Sequence, residues 1–170
     1  MHQKMYLITG LMASGKSTVS DLLAASLERC VHLRGDIFRK MIVSGREEMS
    51  AAPSEEAVRQ LHLRYKLTAD AAKSYFDHGF SVVIQDNYYG DELNRMLNEL
   101  HSYPVEVVVL CPDVETIKER EQHRGKTGYS GFAAEELYHA FMQMTPRIGF
   151  WLDNSRQTPQ QTVEAIRNRL

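Results

Sequence analysis

Apolar residues along this chain fall into short, mostly apolar runs, separated by longer stretches in which they recur every three or four positions. The runs are Met5–Thr9, Val31–Leu33, Ser81–Gln85, Val105–Leu110 and Ile148–Leu152. They are rich in Val and Ile and mostly apolar on both faces, the pattern of parallel strands covered by helices on both sides. The stretches between them read as helices. Lys16–Glu28 carries Val19, Leu22, Leu23 and Leu27; Ser54–His78 carries Val58, Leu61, Tyr65, Ala69, Ala72 and Phe76, with Gly79 placed to end it. Ile37–Val43, Glu92–His101, Asp113–Arg124, Ala133–Met144 and Thr162–Leu170 complete the set, and Asp113 is placed as the cap of its helix. Strands alternating with helices predict βαβ units, hence right-handed crossovers. The expected fold is α/β: a three-layer αβα domain with a five-stranded parallel sheet, spanning residues 1–170 as one domain.

Composition narrows the class. The chain has 170 residues, 20 Lys plus Arg and 22 Asp plus Glu, for a net charge of −2. That balance argues against a protein that coats nucleic acid or an anionic membrane. Two cysteines, Cys30 and Cys111, are too few for a disulfide framework. No apolar run approaches the ~18 residues of a membrane span. The apolar run after Met1–Lys4 is too short for a signal peptide, so a cytoplasmic location is expected. The seven His are isolated, which argues against a zinc site.

In a parallel sheet of this kind, ligands bind beyond the carboxyl ends of the strands. The first such junction reads Gly10-Leu11-Met12-Ala13-Ser14-Gly15-Lys16-Ser17-Thr18, a G-x-x-x-x-G-K-S phosphate loop between a predicted strand and a predicted helix. Glycines let the backbone N–H groups of Gly10, Ala13, Ser14 and Gly15 turn inward toward phosphate oxygens, and the helix N-terminus adds partial positive charge. Lys16 can reach the β- and γ-phosphates, and Ser17 can ligate Mg²⁺, with Thr18 beside it. The guanine-reading Asn-Lys-x-Asp signature is absent, which leaves ATP as the expected nucleotide.

After the second run comes Arg34-Gly35-Asp36-Ile37-Phe38-Arg39. A carboxylate here can orient an acceptor hydroxyl and take its proton, which makes Asp36 the candidate general base. Arg39, three residues on, shares a helix face with it and can hold the acceptor or keep the carboxylate ionised. After the third run, Asp86 is the candidate Walker-B-type carboxylate, acting on Mg²⁺ through water or on the acceptor, and Tyr88 is a candidate wall of the acceptor pocket. After the fifth, Asn154 is a candidate adenine contact.

Gly10–Ser17 followed by Asp36-Ile37-Phe38 resembles the chloramphenicol phosphotransferase family, and Asp36-x-x-Arg39 resembles polynucleotide 5′-hydroxyl kinases. The general layout is similar to adenylylsulfate, shikimate and gluconate kinases, although the Gly-Gly-Gly acceptor turn of shikimate kinases is missing. The resemblance implies a P-loop NTPase of the nucleoside-kinase-like type, with Asp36 as base. It also implies a lid, here about residues 120–131, whose Arg-x-x-x-Arg is matched by Arg120 and Arg124. Carried over, Arg120 would cover adenine and Arg124 would act on the γ-phosphoryl, with Lys126 in support. The expected activity is transfer of the γ-phosphoryl of ATP, with Mg²⁺, to a hydroxyl of a small molecule such as an antibiotic or a metabolite alcohol. A polynucleotide 5′-hydroxyl kinase and a non-catalytic nucleotide-binding regulator are the alternatives.

Overall fold

A computed structural model describes residues 3–123 and 133–169. The elements in chain order are β1 (Met5–Gly10), α1 (Lys16–Ala25), β2 (Cys30–Arg34), α2 (Asp36–Lys40), α3 (Glu55–Asp77), β3 (Ser81–Gln85), α4 (Asp91–Glu99), β4 (Val105–Leu110), α5 (Val114–His123), α6 (Ala134–Met144), β5 (Phe150–Leu152) and α7 (Pro159–Arg169). The five strands form one sheet in the order β2-β3-β1-β4-β5, with every pairing parallel. The expected three-layer architecture is therefore present.

The consecutive apolar residues of the strands feed two cores. Met5 and Leu7 of β1, Val82 and Ile84 of β3, and Val107 and Val109 of β4 pack on one face with Tyr65, Ala69 and Ala72 of α3, Leu93 and Met96 of α4, and Phe141 of α6. Tyr6, Ile8, Val83, Val108 and Leu110 point to the other face, against Val19 and Leu23 of α1 and Val163 and Ile166 of α7. Each such side chain, fully removed from water, contributes roughly 1.5–3 kcal/mol. Both sides of the sheet are therefore anchored, and the loops beyond its carboxyl end are left to chemistry.

Several boundaries differ from the sequence expectation, each for a local reason. The last strand begins at Phe150, not Ile148, because Gly149 has φ +76 and lies against the Val107 carbonyl, 2.3 Å from where a Cβ would stand. Helix α1 stops at Ala25, where the Ser26 hydroxyl donates to the Leu23 carbonyl and closes the turn. Helix α2 runs Asp36–Lys40, one residue earlier at its start and three at its end than the expected 37–43. Helix α7 starts three residues early: Thr158 and Gln161 form a reciprocal capping box (Gln161 N–H to Thr158 Oγ1 at 3.2 Å, Thr158 N–H to Gln161 Oε1 at 2.9 Å), and Pro159 takes the first helical position. Asp113 caps α5 as expected, accepting from the Thr116 N–H at 2.8 Å. Gly79, at φ +85, ends α3 with its N–H on the Phe76 carbonyl. Among the described residues, no helix is long and apolar enough to cross a membrane.

The order of the strands fixes where a ligand can sit. Strand β1 is central, with β3 on one side and β4 on the other, so the chain reverses its winding direction at β1. The crevice beyond its carboxyl end is the switch point at which such sheets bind ligands. The loop at Gly10–Gly15 opens directly onto it.

Candidate active site

The phosphate loop has the conformation its composition implies. Gly10 (φ +148) and Gly15 (φ +96) lie in the positive-φ region, and Ala13 joins them at φ +65. A Cβ on Gly10 would meet the Leu110 carbonyl oxygen at 2.4 Å, so the loop can pass this close to β4 only as glycine. Lys16 is 7% exposed, and its Nζ donates to the carbonyls of Gly10 and Leu11 at 2.7 Å each. The ammonium is thereby held across the mouth of the loop. Ser17 and Thr18 are exposed at the start of α1. Helix α1 has no side-chain cap at Gly15. The Ser14 hydroxyl is buried and has no partner among the described residues. An orphan hydroxyl inside a loop of inward-turned backbone is a group waiting for an acceptor. The residues therefore fit a nucleotide phosphate.

Two elements from across the sheet support this loop. The Ser14 carbonyl accepts from Asn154 Nδ2 at 3.0 Å and from Arg120 Nη1 at 3.3 Å. Arg120 Nη2 donates to the Asn154 carbonyl at 3.0 Å. Arg120 and Asn154, singled out separately in the sequence, thus meet on the phosphate loop. Asn154 is only 3% exposed, and its side-chain amide braces the loop. Arg124 and Lys126, with the rest of the expected lid beyond His123, lie outside the described residues.

On the other side of the crevice stands Asp36. Its Oδ1 accepts from Arg39 Nε at 2.7 Å and its Oδ2 lies 2.9 Å from Lys40 Nζ. Burial raises its carboxyl pKa, but the hydrogen bonds and charges of Arg39 and Lys40 outweigh burial and hold it below the usual carboxylate range. The side chain is 43% exposed, so an ionised carboxylate faces the crevice within reach of a ligand. Arg39 is shared with Glu48, which it also pairs.

Asp86 differs in kind. Its side chain is 6% exposed and pairs with Arg64 Nη2 at 2.7 Å; the same Oδ1 accepts the Asn87 N–H at 2.8 Å. Oδ2 is buried without a partner among the described residues and lies 2.0 Å from where a Gly35 Cβ would stand. Burial raises the Asp86 carboxyl, and the charges of Arg64 and Lys16 and the Asn87 N–H oppose it. The expected contact of Asp86 with an acceptor is therefore corrected: the group is enclosed by Arg64 and Gly35. For Mg²⁺, the exposed Ser17 hydroxyl is the group of this chain that fits. Among the described residues no cluster of three or more acidic, His or Cys side chains could hold a metal unaided, so the remaining ligands would be phosphate oxygens and water.

Tyr88 is also corrected. It is 0% exposed and packs 4.8 Å from Tyr65, ring centre to ring centre, so it presents no surface to an acceptor. Two contributors escaped the sequence reading. Glu48 lies in a polar loop with no pattern to mark it. Arg64 carried a faint signal, a charge on the inner stripe of α3 between Leu61 and Thr68, three and four residues away.

Gly35 offers a direct probe. Its φ is an ordinary helical −55, so space and not conformation demands glycine here. Gly35→Ala would drive a methyl into the Asp86 carboxylate, which is fixed by Arg64. The expected cost, measured by urea unfolding, is about 1–3 kcal/mol, with ATP affinity unchanged.

Fold and phosphate loop together define the class, an α/β domain of the P-loop type. Within that class the chain belongs to the AAA_33 family, an AAA domain, which its residues 5–148 match. No curated protein matches the chain in sequence. Solved structures with the same fold include an unliganded sugar kinase from Janibacter sp. HTCC2649, at 19% identity and TM-score 0.70 over 98% of this chain and 94% of that one. The tunicamycin resistance protein of Deinococcus radiodurans is similar at 15% identity and TM-score 0.73, over 99% and 95%. The APS kinase CysC of Mycobacterium tuberculosis, in complex with AMPPNP and APS, is similar at 17% identity and TM-score 0.71, over 98% and 96%.

Proposed function

We propose that this protein transfers the γ-phosphoryl of ATP to a hydroxyl of a small molecule, with Asp36 as general base. The observation that carries the reading is a formed phosphate loop after β1 together with an ionised, accessible carboxylate at the same end of the sheet, after β2. A nucleotide binder without an acceptor does not require a carboxylate at this strand end, where Asp36 stands 43% exposed beside Arg39 and Lys40. The kinase fold neighbours, a sugar kinase and an APS kinase among them, support phosphoryl transfer as the chemistry.

The chain's groups divide the work. Backbone N–H groups of Gly10–Gly15 and the start of α1 bind the phosphates, and Lys16 neutralises charge on the β- and γ-oxygens. The Ser17 hydroxyl would hold Mg²⁺, whose charge would offset that of the phosphates. Asp36 orients the acceptor hydroxyl and accepts its proton as the new O–P bond forms and the bond to the departing ADP breaks. Arg120 would lie over the adenine, and Arg124 would reach the transferring group. The acceptor's body would meet the segment after Asp36, where Ile37, Met41, Val43 and Met49 are exposed. Four exposed apolar side chains so near the base favour an acceptor with an apolar surface over a polyanion.

The test is a panel of hydroxyl compounds incubated with MgATP and read by mass spectrometry. Gain of one phosphate in an apolar alcohol is the expected result. Phosphorylation of oligonucleotide 5′ ends alone would replace this reading with the polynucleotide kinase.

A further inference from the structure

We propose that Arg64 is a positioning residue for phosphoryl transfer, tying Asp36 to the buried carboxylate of Asp86, and that Asp86 is its fixed anchor and not a ligand of Mg²⁺. The inference rests on Asp36 being the base. Asp36 opens α2, a helix of only five residues, and its near cations Arg39 and Lys40 stand on that same helix. They move with it and cannot fix it relative to the phosphate loop. Arg64 comes from α3, whose inner face is locked into the core by Tyr65, Ala69 and Ala72. Its side chain is 11% exposed, Nη2 is 2.7 Å from Asp86 Oδ1, and Nη1 is 3.9 Å from Asp36 Oδ1. The planar guanidinium thus addresses both carboxylates at once, each through a separate nitrogen held in a fixed fork.

The anchor is firm on every side. The Asp86 N–H donates to the Ile8 carbonyl of β1 at 3.4 Å, and Asn87 N–H shares Oδ1 with Arg64. The Gly35 N–H donates to the Gln85 carbonyl at 3.1 Å, which sets the missing Cβ of Gly35 against Asp86 Oδ2. One oxygen of Asp86 already has two donors, and the other is shut in by the Gly35 backbone. That oxygen is closed to solvent, so a cation could reach it only by moving what covers it. The connection from β1 through Asp86 and Arg64 to Asp36 therefore sets the distance from the base to the phosphate loop.

The experiment compares Arg64→Gln, Asp86→Asn and the double variant in the full chain, since either single change strands a buried charge and the double one does not. Expected for the double variant are a melting temperature near that of the wild type and a half-saturating Mg²⁺ concentration unchanged. Its kcat should be lower by about 10²-fold, with KM for ATP steady. Arg64→Lys should recover only part of kcat. In parallel, hydrogen exchange of the amides of residues 36–40, which needs no acceptor, should quicken by about 10-fold in Arg64→Gln and in the double variant. A folded double variant with wild-type kcat overturns the positioning role, and so does unchanged exchange. A sharp rise in the Mg²⁺ requirement overturns the anchor. If the wild type phosphorylates no hydroxyl compound, the base assignment fails, and the exchange data alone decide whether Arg64 holds α2.

Discussion

Replacing Asp36 with Asn is expected to lower kcat for phosphoryl transfer by about 10²–10⁴-fold, the usual contribution of a general base, and to leave ATP affinity unchanged. The two side chains have the same shape, so an acceptor can still enter. The amide cannot take the proton that the hydroxyl must lose. Stability should hardly move, because Asp36 is half-exposed and such surface pairs contribute about 0–1 kcal/mol. Arg39 also keeps Glu48 as a partner. ATP binding is spared because the hydrogen bonds of Asp36 run to Arg39 and Lys40 and not to the phosphate loop. Steady-state kinetics beside a binding titration checks both halves, and a variant that transfers normally would remove Asp36 from the mechanism.

Lys16→Ala is expected to act earlier and on a different quantity. Its Nζ is the charge at the mouth of the loop, nearly buried and already oriented by two carbonyls at 2.7 Å. A preorganised cation in a water-poor site gives far more than one in solution. Removing it should lower kcat/KM for ATP by about 10³-fold or more. ATP affinity should fall with it, unlike in Asp36→Asn, since the ammonium meets phosphate in the ground state too. Lys16→Arg keeps the charge, but its fork does not fit a place made for three donors on a point charge, so it should restore little. Thermal melting separates these effects from damage to the loop, whose Gly10 and Leu11 carbonyls lose a donor in Lys16→Ala.

Local patterns carried much of this architecture. Mostly apolar runs such as Val105–Leu110 announce strands covered on both faces, and Gly10–Ser17 announces a phosphate loop because its glycines, lysine and serine are fixed by short-range geometry. Asp36 was legible for the same reason, standing one turn from its own cation Arg39. What stayed hidden depends on contacts between distant segments. Arg64 and Asp86 are 22 positions apart and meet only because α3 packs over the end of β3. Gly35 reads as a commonplace turn residue until Asp86 is seen against it. Tyr88 reads as a pocket residue until Tyr65 covers it. The early end of the last strand at Gly149 follows from the Val107 carbonyl, which no periodicity reveals.

The central claim, ATP-dependent transfer to a small-molecule hydroxyl through Asp36, is tested most directly by one comparison. Wild type and Asp36→Asn are incubated with MgATP and the same panel of hydroxyl compounds, and products are read by mass spectrometry. The account predicts a compound that gains one phosphate with the wild type and forms at least ~10²-fold more slowly with the variant, at equal ATP occupancy. ATP bound by both proteins, with no phosphorylated compound from either, would contradict it.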